Sequence, residues 1–355
     1  MEIITFDRLI KIASKLNVTP SVLRDRFFSN AQFFQDGEIP VEYTKNGKQV
    51  APFVAPEIGG QVMERDGRKV SVFEPPEVAP QRIITRKNIL RAERGAGTVI
   101  VDGSENQDPN ARKVALIKND FADLDNAITR REEVMVSEIL FTGQVTVKGP
   151  GYDEVIRFWD QADRPYEELA GTALWSATAT SDPLADIERG IKKIQTRSGH
   201  TPTEVWLHPN DWALASSSVK LQAQLNQLNT NIGSVDRASA ASGNGVRLVA
   251  NLAGLNIYTY SQSVTVQNLD GTQSVVELVP DGKILFANPT AETMMAYGVV
   301  EINDVKAQVT RYAALRRVPN MYLNQKNPAV TVVEIKCAPL PVPLEPDAFY
   351  VIKVK

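Results

Sequence analysis

The stretch from Asn110 to Phe141 contains neither glycine nor proline. Val114, Phe121, Ile128 and Met135 recur at every seventh position, with Ile117 and Leu124 between them at helical spacing. These residues draw one apolar stripe along a long amphipathic helix. Asp108-Pro109 offers a start signal and Gly143 a stop. At about 1.5 Å per residue the helix is about 50 Å long, the width of a small domain. Arg131 and Glu138 continue the Ile117–Leu124 series, so the seam turns polar beyond Ile128. That loss favours a spine laid along a sheet over a free-standing coiled coil. The adjacent pairs Glu132-Glu133 and Glu167-Glu168 point about 100° apart on a helix. Neither makes an acid–base dyad, and both read as solvated faces.

A chain of 355 residues implies two or three domains. It is 43% hydrophobic and 23% charged, an ordinary globular balance. Lys plus Arg is 39 against 42 for Asp plus Glu, a net charge of -3, which excludes a general polyanion binder. One cysteine, Cys337, permits no internal disulfide, and its strand setting beside Ala338-Pro339 reads as a buried structural thiol. The opening MEIITFDRLIKIA has acid near its start and no long apolar core, so no signal peptide is expected. No run of about 18 apolar residues occurs, so no membrane partner is expected either.

Catalytic, metal and cofactor motifs are missing from the sequence. His200 and His208 are the only histidines, with no HExxH and no paired CxxC around them. His208 precedes a Pro-Asn helix start and reads as structural. Gly95 and Gly97 lack the third glycine of a dinucleotide loop, since Ile100 stands in its place. There is no GxSxG elbow. The expectation is therefore no catalytic residue, no metal and no cofactor. Arg82, Arg86, Lys87, Arg91 and Arg94 form one basic cluster; Arg311, Arg316 and Arg317 form another. Neither is interleaved with stacking aromatics. Inter-subunit salt bridges and loose phosphate contact both stay open for them.

Along the chain, residues 1–49 read as an arm. Phe6, Leu9, Ile10, Ala13 and Leu16 make one short amphipathic helix, and Thr19-Pro20 starts a second, SVLRDRFFSN. Phe27, Phe28, Phe33 and Phe34 are more than two short helices can bury, so they dock on a larger body, this chain's or a neighbour's. Residues 50–86 are proline-rich and centre on a hairpin turning at Asp66-Gly67. In that register Glu64 faces Lys69 and Met63 faces Val70. Beyond the spine, strands are expected at Gln144–Lys148 and Glu154–Phe158. A new α+β unit begins near Asp163, with a helix capped by Asp182 and ending at Gly199. The strand Glu204–His208 and a helix from Pro209 follow. Strands also fit Val246–Ala250, Leu255–Tyr260, Ser263–Asn268, Gln273–Val279, AVTVVEIK and AFYVIKV, the last two separated by Ala338–Pro341.

Five short words then carry a resemblance. They are Leu23-Arg24 with Phe27-Phe28; Leu207-His208-Pro209-Asn210-Asp211-Trp212-Ala213-Leu214; Ala296-Tyr297-Gly298; Cys337-Ala338-Pro339-Leu340; and Pro346-Asp347-Ala348-Phe349. In this order the chain resembles the major capsid protein family of lambda-like phages, the family of the lambda E protein. Departures lie mostly in loops, at 229–245 and 261–281. The resemblance implies an α+β fold of the Hong Kong 97 type. Residues 1–49 would be its N-terminal arm, 50–86 its extended hairpin, 87–160 and 311–355 the peripheral domain with the spine, and 161–310 the axial domain. It implies a self-assembling icosahedral shell of hexamers and pentamers around double-stranded DNA, built in the host cytoplasm. Portal, scaffold and decoration proteins would be further partners. Inter-subunit contacts are expected at Phe27, Phe28, Phe33, Phe34, Met63, Glu64, Arg65, Asp66, Arg68, Lys69, Arg131 and Glu138. The alternatives are an encapsulin-type compartment and an α+β enzyme.

Overall fold

A computed structural model describes residues 21–44, 68–85, 109–149, 152–158, 164–225, 233–235, 245–267, 270–304, 309–324 and 330–355. The expected first arm helix, the Asp66-Gly67 turn and the loop at 95–108 lie outside them. The chain forms two compact units. The first draws on Met1–Glu38, Glu74–Val136 and Met295–Pro341, the second on Ile39–Phe73, Ser137–Met294 and Val342–Lys355.

The long helix spans Pro109–Thr142. Proline suits a first helical position, whose N–H has no partner within the helix. Gly143, at φ 73°, stops the helix with its N–H bonded to Ile139 O at 2.8 Å. The division between units falls inside it, after Val136.

In the first unit, the stripe does what its spacing predicts. Ile117, Phe121, Leu124 and Ile128 share one core with Ile84, Val333, Ile335 and Cys337. Val114, one turn nearer the start, is exposed. The surface beneath is a three-stranded antiparallel sheet with Val330–Lys336 between Val318–Asn324 and Gln81–Ile84. The helix is thus a spine on a sheet. A second small sheet joins Ala31–Phe33, Thr293–Tyr297 and Pro339–Pro343, with Ala31–Phe33 parallel to the middle strand. Ala338–Pro341 reads from sequence as a connector, yet Pro339–Pro343 is an edge strand. Prolines at 339, 341 and 343 alternate, so their missing N–H groups all fall on the same, free edge.

In the second unit a seven-stranded sheet runs in the order Tyr166–Glu168, Phe349–Lys353, Lys283–Ala287, Glu204–Leu207, Leu255–Tyr260, Val246–Leu252, Gly233–Val235. Helices Pro183–Arg197, Pro209–Ser217 and Val219–Leu225 cover one face. Leu184, Ile187 and Ile194 meet Val205, Ile257, Phe286 and Ile352 there. Asp182 caps the first of these helices by accepting from Ala185 N. Gly190 in that helix permits its contact with the sheet, because a Cβ there would lie 2.7 Å from the Phe286 ring. Phe349–Lys353, expected beside the spine, instead pairs with Lys283–Ala287 and Tyr166–Glu168. Its Tyr350 and Ile352 supply the apolar residues that the helices of this unit cover.

The strand after the expected turn has a partner that the sequence did not suggest. Arg68–Phe73 pairs antiparallel with Ile39–Thr44, putting Lys69 opposite Tyr43 and Val70 opposite Glu42. The segment IPVEYT alternates in period two, buries Ile39 and Val41, and offers a six-residue ladder. The ribbon therefore takes in Ile39–Thr44, ahead of Val50. The expected Met63 and Glu64 partners lie outside the described residues.

Candidate functional site

The most concentrated chemistry in the first unit lies where the arm meets the spine. The arm helix Val22–Phe27 is only six residues long, too short to persist alone. Glu133 of the spine accepts from Leu23 N at 2.7 Å and from Arg24 N at 3.0 Å, satisfying amides at the arm helix's start. Burial raises the Glu133 pKa, against the lowering effect of those two amides.

One turn face away, Asp125, Thr129 and Glu132 form a polar stripe beside the apolar one. Glu132 has a fully buried side chain and receives two arginines. Arg24 Nη1 donates to its Oε2 at 2.6 Å, and Arg317 Nη1 donates to its Oε1 at 2.6 Å. Tyr297 OH reaches Oε1 at 3.2 Å. Arg317 also donates to Asp125 through Nε and to Thr129 Oγ1 at 3.1 Å. Burial alone would disfavour the Glu132 charge, but Arg317 and Arg24 outweigh it and hold the carboxyl below its usual range. Burial likewise opposes the charge on Arg24 and Arg317, and the facing carboxylates prevail. The arrangement is a fully satisfied ionic clasp between arm, spine and the strand entry at Arg317.

The solvated reading of Glu132-Glu133 is therefore overturned. Both are buried, because their counter-charges arrive from Arg24 and Arg317, far away in sequence. The chain's own arm helix occupies Glu132 and Glu133 on the spine's polar second half. Phe27 and Phe28 are buried within the chain, so the larger body that they dock on is this chain's own. Phe33 is half exposed and stacks on Tyr297 at 5.5 Å, and Phe34 N donates to Tyr297 O at 2.9 Å. Arg131 is half-buried. Glu138 accepts from Thr146 N at 2.9 Å within its own chain. Arg68 and Lys69 sit on the ribbon strand opposite Thr44 and Tyr43. Met63, Glu64, Arg65 and Asp66 lie outside the described residues.

Three of the five sequence words meet in this unit. Leu23-Arg24 and Phe27-Phe28 are the docked arm, and Tyr297 closes the clasp. Gly298 N donates to Ala338 O at 2.9 Å, and a Cβ on Gly298 would lie 2.3 Å from Pro75 Cγ. Cys337 exchanges backbone bonds with Val78. Burial pushes its thiol up to about 12. The other two words lie in the second unit. His208 caps the helix Pro209–Ser217 by accepting from Asn210 N, and Asp347 pairs with Arg197 at 2.7 Å. Arg317 is the clasp residue that sequence reading left among undifferentiated basic residues; the spacing of Asp125, Thr129 and Glu132 was the available signal.

The sequence matches the family "Phage major capsid protein E" over residues 5–354. The chain belongs to that family. Among similar curated proteins are the major capsid proteins of Escherichia phage lambda, 24% identical with 94% of each chain covered, and of Enterobacteria phage phi80, 23% identical over the full length of both. The crystal structure of a prophage capsid protein from Escherichia coli CFT073 superposes with a TM-score of 0.71, 19% identity and 99% of each chain covered. Family and fold agree on a major capsid protein of lambda-like phages with a Hong Kong 97-type α+β fold. The clasp belongs to the architecture of a shell subunit, and membership in this family favours the phage shell over the encapsulin alternative.

Proposed function

We propose that the chain closes into an icosahedral head of hexamers and pentamers around double-stranded DNA, assembled in the host cytoplasm. The observation that carries this reading is the ribbon Ile39–Thr44 with Arg68–Phe73, which has no third strand among the described residues. A two-stranded ribbon is marginal alone in water. Its base is secured by buried Ile39 and Val41 and by Phe73 against Phe158 at 5.0 Å, while Val72 is exposed. The segment between the two strands carries Met63, Glu64, Arg65 and Asp66, with Arg68 and Lys69 where the second strand starts. A neighbouring subunit is the partner that completes such a ribbon, and repeated heterologous contacts close a shell. Phe33 and Arg131 are further inter-subunit contacts in this reading.

The net charge of -3 suits a wall that retains DNA without adhering to it. The arm, extended hairpin, peripheral and axial regions keep their proposed roles, with the hairpin now starting at Ile39 and Val342–Lys355 assigned to the axial side. A portal, a scaffold and a decoration protein remain proposed partners. The chain's role is structural, with no catalytic step.

The test replaces residues 47–64 by a short glycine-serine linker, leaving both ribbon strands in place. The expected result is a soluble, folded subunit by circular dichroism that yields no shells by negative-stain electron microscopy. Closed particles from this variant would overturn the assignment of the segment between the ribbon strands to assembly.

A further inference from the structure

The second unit holds a cluster of titratable groups that the clasp and the ribbon leave unused. It lies where the helix Pro209–Ser217, the foot of the hairpin Ser263–Gln267 with Gln273–Glu277, the turn at 280–282 and Lys355 come together. Asp211, in the first turn of the helix, is fully buried. Its Oδ2 accepts from Gly282 N at 2.8 Å. Its Oδ1 is buried with no donor facing it among the described residues. The charged neighbour on this side is another carboxyl: Asp281 directly precedes Gly282, from whose N–H Asp211 accepts, and the two carboxyls act on each other's ionisation. Two carboxylate oxygens attract only when a proton lies between them. Asp281 also binds Lys355 Nζ and lies 3.8 Å from His208 Nδ1. Glu277, at the hairpin foot, lies 4.0 Å from His208 Nε2.

The groups divide by role. Asp281 is the ionised member, since its bond to Lys355 holds its pKa down. Asp211 is the protonated member, pushed up to about 7 by burial first, with Asp281 adding to the rise and Gly282 N and Lys355 opposing it. The turn is tied to the segment before Lys355 by Val354 N, which donates to Gly282 O at 2.9 Å. Gly282, at φ 82°, would bring a Cβ 3.0 Å from Lys355 Cβ, so the segment lies directly on the turn. Leu278, between hairpin and turn, accepts from Ser137 Oγ.

We infer that Asp211 and Asp281 form a proton-operated latch, which fastens the 280–282 turn and the segment ending at Lys355 to the helix start while a proton is shared between them. When Asp211 ionises, the cluster gains a buried negative charge beside that of Asp281. Repulsion and the demand for solvation then part the turn from the helix. The latch is shut in mildly acidic medium and loosens above neutrality. Its strain falls on the hairpin foot through Glu277 and on the ladder of Phe349–Lys353 through Val354.

The sign follows from linkage. Asp211 has a folded pKa raised above its unfolded value of about 3.9. The stability it contributes is full below that unfolded value. It declines as pH rises through the folded value of about 7 and is gone above it.

The experiment uses the full chain and the variants Asp211→Asn and Asp281→Asn. In the first variant the introduced side-chain amide keeps a donor for Asp281 at every pH. Wild type should lose thermal stability between about pH 4 and about pH 7 and level off above, whereas Asp211→Asn should be flat across that step. Asp281→Asn should shrink the step. Amide exchange at Gly282 and Val354, corrected for intrinsic rates, should accelerate severalfold above neutrality in wild type only. An Asp211→Asn chain with the full wild-type pH step overturns the latch. If a variant fails to fold, infrared titration of the wild type decides. A protonated-carboxyl band that vanishes near neutrality supports the proposal, and its absence at about pH 5.5 overturns it.

Discussion

Arg24 and Glu132 stand 108 residues apart in sequence and 2.6 Å apart in the fold, with both side chains buried. Each offsets the other's desolvation, and Arg317 completes the set on the second oxygen of the carboxylate. Removing the shared anion strands two buried guanidinium groups beside each other. Glu132→Gln should lower unfolding stability by about 3–5 kcal/mol in urea titration. Replacing Glu132, Arg24 and Arg317 together by apolar residues of similar volume should cost less than Glu132→Gln alone. An equal or larger loss in the triple variant would show that the clasp contributes net stability rather than a unique docking position.

Glu133 acts on backbone, so its removal should be local. Glu133→Ala should cost about 1–2 kcal/mol and expose the Leu23 and Arg24 amides to rapid hydrogen exchange. The spine's amides beyond Ile128 should keep their protection. Unchanged exchange at Leu23 would mean that the arm helix is held by its buried side chains alone.

Gly190 tests packing in the second unit. Gly190→Ala places a methyl 2.7 Å from the Phe286 ring, closer than a real Cβ contact allows. Helix propensity gains about 1 kcal/mol from the change, while overpacking costs about 1–3 kcal/mol. The expected net effect is destabilisation, read as a lower urea midpoint with an unchanged slope.

Cys337 reports unfolding. Its buried thiol, pushed up to about 12, carries almost no thiolate at neutral pH. Iodoacetamide at about pH 8 should leave the native chain unmodified by mass spectrometry and label it fully in urea. Rapid labelling of the native protein would place Cys337 at an opening seam.

Local rules made much of this fold legible. The glycine- and proline-free run gave the spine within a residue at either end, and Asp182-Pro183 and Gly199 bracketed their helix. Leu255–Tyr260 follows from β-branched and aromatic residues alone. The clasp was hidden because a glutamate pair has the same appearance in sequence whether water or an arginine faces it. The decisive partners, Arg24 and Arg317, come from opposite ends of the chain. The pairing of the ribbon was illegible for a related reason. Asp66-Gly67 is a strong local turn signal, and it said nothing about Ile39–Thr44, which lies far from its partner Arg68–Phe73 in sequence.

The strand Phe349–Lys353 lies inside the seven-stranded sheet, between Tyr166–Glu168 and Lys283–Ala287. A ribosome must therefore reach Lys353 before the sheet can be filled, and Arg317 must emerge before the arm's clasp can close. Such long-range closure is slow. It also means that a chain broken off early lacks an interior strand rather than an ornament. Premature fragments lack the finished sheet of a complete subunit, so translation itself screens what is available to build the wall.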